Sequence, residues 1–152
     1  MPRARPDLPA PSPSWEPVVT AFTCQWCTYA AADLAGTSRF QYPPNVRIIR
    51  IPCTGKMDIM YALHAMTLSD GVFVSGCLPN QCHYIDGNFK AEKRMKFLKD
   101  VLEEIGVGGK RLEMHFISAS MATTFVEAVS NFRETLKKLG PNPAKRTRSS
   151  TN

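Results

Sequence analysis

Four short apolar runs, separated by stretches of helical periodicity, set the narrowest limit on what this chain can fold into. The runs are Pro17–Thr23, Val46–Pro52, Gly71–Ser75 and Arg111–Ser118. Each is rich in β-branched or aromatic residues and bounded by turn formers, the pattern of a buried strand. The stretches between them predict helices over Gln25–Leu34, Met57–Leu68, Phe89–Ile105 and Met121–Leu139. Ala91, Met95, Leu98, Leu102 and Ile105 recur at helical spacing in the third. Phe125, Val129, Phe132, Leu136 and Leu139 do so in the fourth, which has Ser120 as a candidate cap and Gly140-Pro141 as a stop. Strict β-α alternation predicts an α/β fold: an open parallel four-stranded sheet in a flavodoxin- or Rossmann-like three-layer arrangement, with helices on both faces. Crossovers should be right-handed, and a strand order of 2-1-3-4 is expected. In such sheets ligands bind outside the carboxyl ends of the strands.

The chain of 152 residues fits one domain. A domain of that size buries roughly 70% of its unfolded surface, so it needs no metal or disulfide merely to fold. The reading places the domain at 17–140, after a disordered Pro-rich leader (1–16) and before a disordered basic tail (141–152). The net charge is +6, and Lys145, Arg146 and Arg148 carry half of it. That is a weak signal for nucleic acid, and none is expected as a partner. Apolar stretches fall far short of the ~20 residues of a membrane span, and the N-terminus lacks an apolar signal region. A cytoplasmic location without membrane contact is expected. Disulfides are uncommon there, which leaves five cysteines for metal or redox chemistry.

Those cysteines all fall at the predicted carboxyl edge of the sheet. Cys24 follows the first strand, Cys27 opens the first helix, and Cys53 follows the second strand. Cys77 and Cys82 lie in the loop after the third. Chance would scatter cysteines through the core, where free thiols are commonly buried. Helices that start at this edge aim unpaired N–H groups at it, which suits thiolates and an anionic cluster. Gly36, Gly55, Gly76 and Gly87 would let backbone approach closely. The close pairs Cys24/Cys27 and Cys77/Cys82 could hold the two irons of a 2Fe–2S cluster, with Cys53 as an alternative ligand.

Two other chemistries stay open. Zinc takes four thiolates, or three with an imidazole that His83 could supply. Thiol–disulfide exchange would use Cys24-Gln25-Trp26-Cys27, but it explains only two of the five cysteines. His64 and His115 read as structural. Trp26 and Tyr29 could shield a cluster from water. The stripe Lys90, Lys93, Arg94, Lys96 and Lys99 reads as a solvated face. Its first members sit in helical turns whose dipole disfavours cations, which hints at an acidic partner or a nearby anion. No set of catalytic residues stands out, so no substrate site is expected within the chain.

The segments Cys24-Gln-Trp-Cys-Thr-Tyr29, Ala32–Arg39, Tyr42–Arg50, Cys53-Thr-Gly-Lys56, Asp70–Cys77, Cys82-His-Tyr84, Gly87–Arg94 and Leu136–Pro141 resemble the delta subunit of methyl-viologen-reducing hydrogenase. The resemblance covers about residues 18–141. It implies a 2Fe–2S electron-transfer protein, itself non-catalytic. Such a protein passes electrons from a hydrogenase or formate dehydrogenase to the flavin-bearing subunit of a bifurcating heterodisulfide reductase, in anaerobic metabolism such as methanogenesis. It implies cluster-binding roles for Cys24, Cys27, Cys53, Cys77 and Cys82. The expected ligands are Cys24, Cys27, Cys77 and Cys82. Some relatives carry a further cysteine where this chain has Thr23.

Overall fold

A computed structural model describes residues 12–146. Its elements, in chain order, are β1 (Val19–Cys24), α1 (Thr28–Thr37), β2 (Val46–Ile51), α2 (Ile59–Met66), β3 (Gly71–Gly76), α3 (Gly87–Glu104), β4 (Leu112–Phe116) and α4 (Ala122–Leu139). The strands form one parallel sheet in the order β2-β1-β3-β4, as expected. β1 and β3 are central and buried along their whole length. β2 is an outer strand and only half-buried.

Successive side chains of a strand point to opposite faces, and the core divides accordingly. Val19, Ala21 and Phe73 pack with Ala31, Ala32 and Ala35 of α1 and with Phe125, Val129, Phe132 and Leu136 of α4. Phe22, Val72 and Val74 pack on the other side with Ala62, Ala65 and Met66 of α2 and with Met95, Leu98 and Leu102 of α3.

The structure moves several helix starts. α1 begins at Thr28, because Gln25–Cys27 make the turn off β1 and the Cys27 carbonyl accepts the first helical N–H, from Ala31. α2 begins after Asp58, whose Oδ1 accepts from Met60 N at 2.8 Å, a side-chain cap. Ser120 does not cap α4. Met121 occupies that position, and the Ser120 hydroxyl lies 3.3 Å from that of Ser118.

Most of the expected leader, and the end of the expected tail, lie outside the described residues. The described parts that flank 17–140 make contacts with the body. Asn142 is buried and donates from Nδ2 to the carbonyls of Met66 and Ser69. Lys145 Nζ lies 2.7 Å from the buried Asp70 carboxylate. At the other end, Glu16 accepts from Arg133 Nε at 2.7 Å and pairs with Lys137 Nζ at 2.7 Å, both on α4. The hydrogen bonds from Arg133 and Lys137 hold the Glu16 carboxyl down from 4.5 to about 2. A depressed carboxyl contributes stability that is present above its unfolded value and is lost as pH falls through its folded value. Glu16→Gln should therefore lower the denaturation midpoint slightly near pH 6, and the difference from the parent should vanish as pH approaches about 2. Paired urea titrations across that range check this. Among the described residues, no helix is long and apolar enough to cross a membrane.

Candidate metal centre

Parallel register brings the ends of the first three strands to one edge. Cys24 ends β1 opposite Ile51, the last residue of β2, and Thr23 lies opposite Ser75 near the end of β3. Cys53 comes two residues after β2, and Cys77 directly follows β3. All five cysteines are therefore at the carboxyl edge, as the sequence predicts.

Their grouping differs from the sequence-close pairs. The sulfurs of Cys24, Cys27 and Cys77 lie within 4.8 Å of one another. Cys27 and Cys77 are paired sulfur to sulfur as a disulfide, with Cα atoms 5.4 Å apart. Cys24 Sγ lies 3.8 Å from Cys77 Sγ. Cys82 stands beside Cys53, at 3.8 Å between sulfurs. The Cys24-x-x-Cys27 motif thus does not close on itself. His83 is not part of the sulfur group: its ring stacks on Trp26 at 3.8 Å and meets Tyr84 edge-on.

The start of α3 fastens both cysteine loops. Asn88, fully buried, donates from Nδ2 to the carbonyls of Cys77 (3.0 Å) and Leu78 (2.9 Å). Arg94 Nη1 donates to the carbonyls of Gly55 (2.8 Å) and Met57 (3.0 Å). These close the short 3₁₀ turn Thr54–Lys56, whose Gly55 N–H donates to Cys53 Sγ at 3.3 Å. Arg94 is therefore turned inward, in contrast to Lys93, Lys96 and Lys99, which are exposed. Lys90 pairs with Asp86.

Glycine permits this packing. A Cβ on Gly87 would lie 2.5 Å from Cys53 Sγ, and one on Gly76 would lie 2.6 Å from Thr54 Oγ1. Gly36, expected to serve the same end, sits in α1, and a Cβ there would meet nothing beyond its own helix within 4 Å. Tyr29 carries the Arg50 guanidinium over its ring. Trp26 is half-exposed at the rim. His115 stacks on Phe73 and bonds Glu113, a structural role, and His64 is exposed on α2.

The backbone sorts the thiols. Burial pushes Cys24 up, against N–H donors from Trp26, Cys27 and Thr54. Burial also pushes Cys53 up, to about 11. At Cys82 burial acts in the same direction but is outweighed by N–H groups of Tyr84, Asn88 and Gly87 and by the Cys53 thiol, leaving it lowered. The N–H groups around the start of α3 thus favour the charged form of Cys82, in the loop before that helix.

The donor set suits a thiophilic metal group: soft sulfurs, oriented N–H groups, and Cys24 and Cys77 each only 1% exposed. A second observation agrees. The hydroxyl of Thr54, buried between the cysteine loops, has no hydrogen-bond partner among the described protein atoms. The sequence offers no sign of this residue's environment, nor of the inward turn of Arg94 except its place on the buried face of α3.

The family profile of the methyl-viologen-reducing hydrogenase, delta subunit, matches residues 19–140. The chain belongs to this family. A relative in Methanococcus maripaludis, an iron-sulfur subunit of the F420-non-reducing hydrogenase vhu, is 58% identical over 86% of this chain and 98% of its own length. The protein of the same name in Methanocaldococcus jannaschii is 53% identical over the same shares. The delta-subunit sequence also occurs within a longer protein. One subunit of the ferredoxin/F(420)H(2)-dependent CoB-CoM heterodisulfide reductase of Methanosarcina acetivorans is 45% identical over 82% of this chain, a match covering 16% of that protein.

Proposed function

We propose that this delta-subunit chain is a one-electron carrier. In this reading a 2Fe–2S cluster is held by Cys24, Cys27, Cys77 and Cys82, with Cys53 as the alternative ligand. The observation that carries it is the gathering of the Cys24/Cys27/Cys77 group, the Cys53/Cys82 pair and an unsatisfied buried hydroxyl at one sheet edge. The names of the relatives support iron and sulfur as the contents.

The cluster would supply reversible one-electron chemistry. The chain's own residues do the rest. Cys24, Cys27 and Cys77 would supply three thiolates to it, once a two-electron thiol reductant has opened the Cys27–Cys77 disulfide. Cys82 would supply the fourth ligand, its negative charge stabilised by the N–H groups of Tyr84, Asn88 and Gly87. Asn88 and Arg94 fix the loops so that little moves when the charge changes. The Cys53 thiol, 3.8 Å from Cys82, would keep its proton and donate a hydrogen bond to that thiolate.

The donor is proposed to be a hydrogenase, after the names of the relatives, with formate dehydrogenase the alternative. The acceptor is proposed to be the flavin-bearing subunit of a heterodisulfide reductase. The Methanosarcina heterodisulfide reductase proteins that contain a segment 45% identical to this chain support that choice. A zinc-stabilised adaptor is the second reading, favoured only by the three-sulfur group.

Mixing the dithionite-reduced, desalted chain with the oxidised flavin-bearing subunit under argon tests the carrier reading. Bleaching of the flavin absorbance on a catalytic timescale is the expected result. No bleaching, with both proteins folded and loaded, sinks the proposed acceptor.

A further inference from the structure

Thr54 is 1% exposed, and its Oγ1 finds no partner among the described atoms. A buried hydroxyl without a partner forfeits its hydration for nothing, whereas valine would fill the same space without that cost. The surroundings show where such a hydroxyl acts. Thr54 follows Cys53 in the chain, its backbone N–H donates toward the Cys24 sulfur, and its hydroxyl lies against Gly76, which precedes Cys77. Three of the five cysteines therefore bracket it.

It is also held in place. The missing Cβ of Gly76 makes the space that Oγ1 occupies, and Arg94 fixes the turn through the Gly55 and Met57 carbonyls. The Thr54 carbonyl is itself engaged, accepting from Met57 N at 2.8 Å.

We infer that the Thr54 hydroxyl is a positioning donor to the sulfur shell of the metal centre and raises its reduction potential. The inference rests on the carrier reading above. Reduction adds one electron, and the negative charge on the sulfurs grows. A fixed O–H donor stabilises that state more than the oxidised one. No bond forms or breaks, and the proton stays on Thr54.

The test compares the parent chain with Thr54→Val, which keeps the shape, and Thr54→Ser, which keeps the hydroxyl. Midpoint potentials are read by EPR during anaerobic redox titration. Thr54→Val should lower the equilibrium constant for reduction about tenfold, a shift of ~59 mV for one electron, while Thr54→Ser stays near the parent. In urea, the metal-free Thr54→Val chain should be no less stable than the parent, because the hydroxyl has no partner there.

Equal potentials in loaded parent and Thr54→Val overturn the inference alone. So does equal destabilisation of metal-free and loaded Thr54→Val, since the hydroxyl would then be bonding protein or a trapped water. A parent chain that takes up no iron overturns the carrier reading instead. Should Thr54→Val fail to load, Thr54→Ala reads the same loss of donor.

Discussion

Cys77→Ser should leave the chain folded and nearly empty of iron after anaerobic reconstitution, with well under a tenth of the parent's content. Cys77 is 1% exposed, belongs to the three-sulfur group, and is held through its carbonyl by Asn88. A serine alkoxide does not form readily at neutral pH and is a poor ligand for a thiophilic metal. Cys24→Ser, Cys27→Ser and Cys82→Ser should act alike. Cys53→Ser should retain most of the iron, with a shifted EPR spectrum from the altered hydrogen bond to Cys82. The fourth ligand is the point at risk. Cys53 and Cys82 stand 3.8 Å apart, but three N–H donors serve Cys82, while burial pushes Cys53 to about 11. If Cys53→Ser alone empties the site, the two residues exchange roles.

The second large effect lies at the opposite edge of the sheet. Arg111, immediately before β4, is 1% exposed and donates to the carbonyls of Val107, Asp70, Leu139, Gly140 and Pro141. It ties the end of α4 to the turns that lead into β3 and β4. Arg111→Ala leaves those carbonyls buried with fewer partners and opens a cavity. A loss of about 3–4 kcal/mol is expected, at the high end for one substitution. Urea unfolding of the metal-free chain measures it. Iron bound per folded chain should stay unchanged below the transition, because the cysteines are at the other edge.

These two regions differ in how much the sequence says of them. The carboxyl edge was legible because alternation of strand and helix forces parallel strands, and parallel strands end together. Cys24, Cys53 and Cys77 follow from that alone. The pairing of Cys53 with Cys82 was not legible. Sequence proximity favours Cys77 with Cys82, but the loop between them turns through Asn80 at positive φ, and Gly87 lets Cys53 fit against the start of α3. The inward turn of Arg94 had a signal: Ala91, Arg94 and Leu98 share one helical face, and that face is buried. Reading the basic stripe as one solvated surface missed it. Asp58 before an apolar helical run is likewise a cap signal that fixes the start of α2. Arg111 reads as a strand residue, and only the fold shows five carbonyls converging on it.

The central claim is that the five-cysteine edge of this chain holds an electron-carrying iron–sulfur group. Anaerobic purification with metal analysis, followed by EPR after dithionite reduction, tests it most directly. The account predicts brown protein with about two irons per chain and an S = 1/2 signal that appears only on reduction. Colourless protein with about one zinc per chain, no iron after reconstitution and no signal on reduction would contradict it and make the centre a structural clasp.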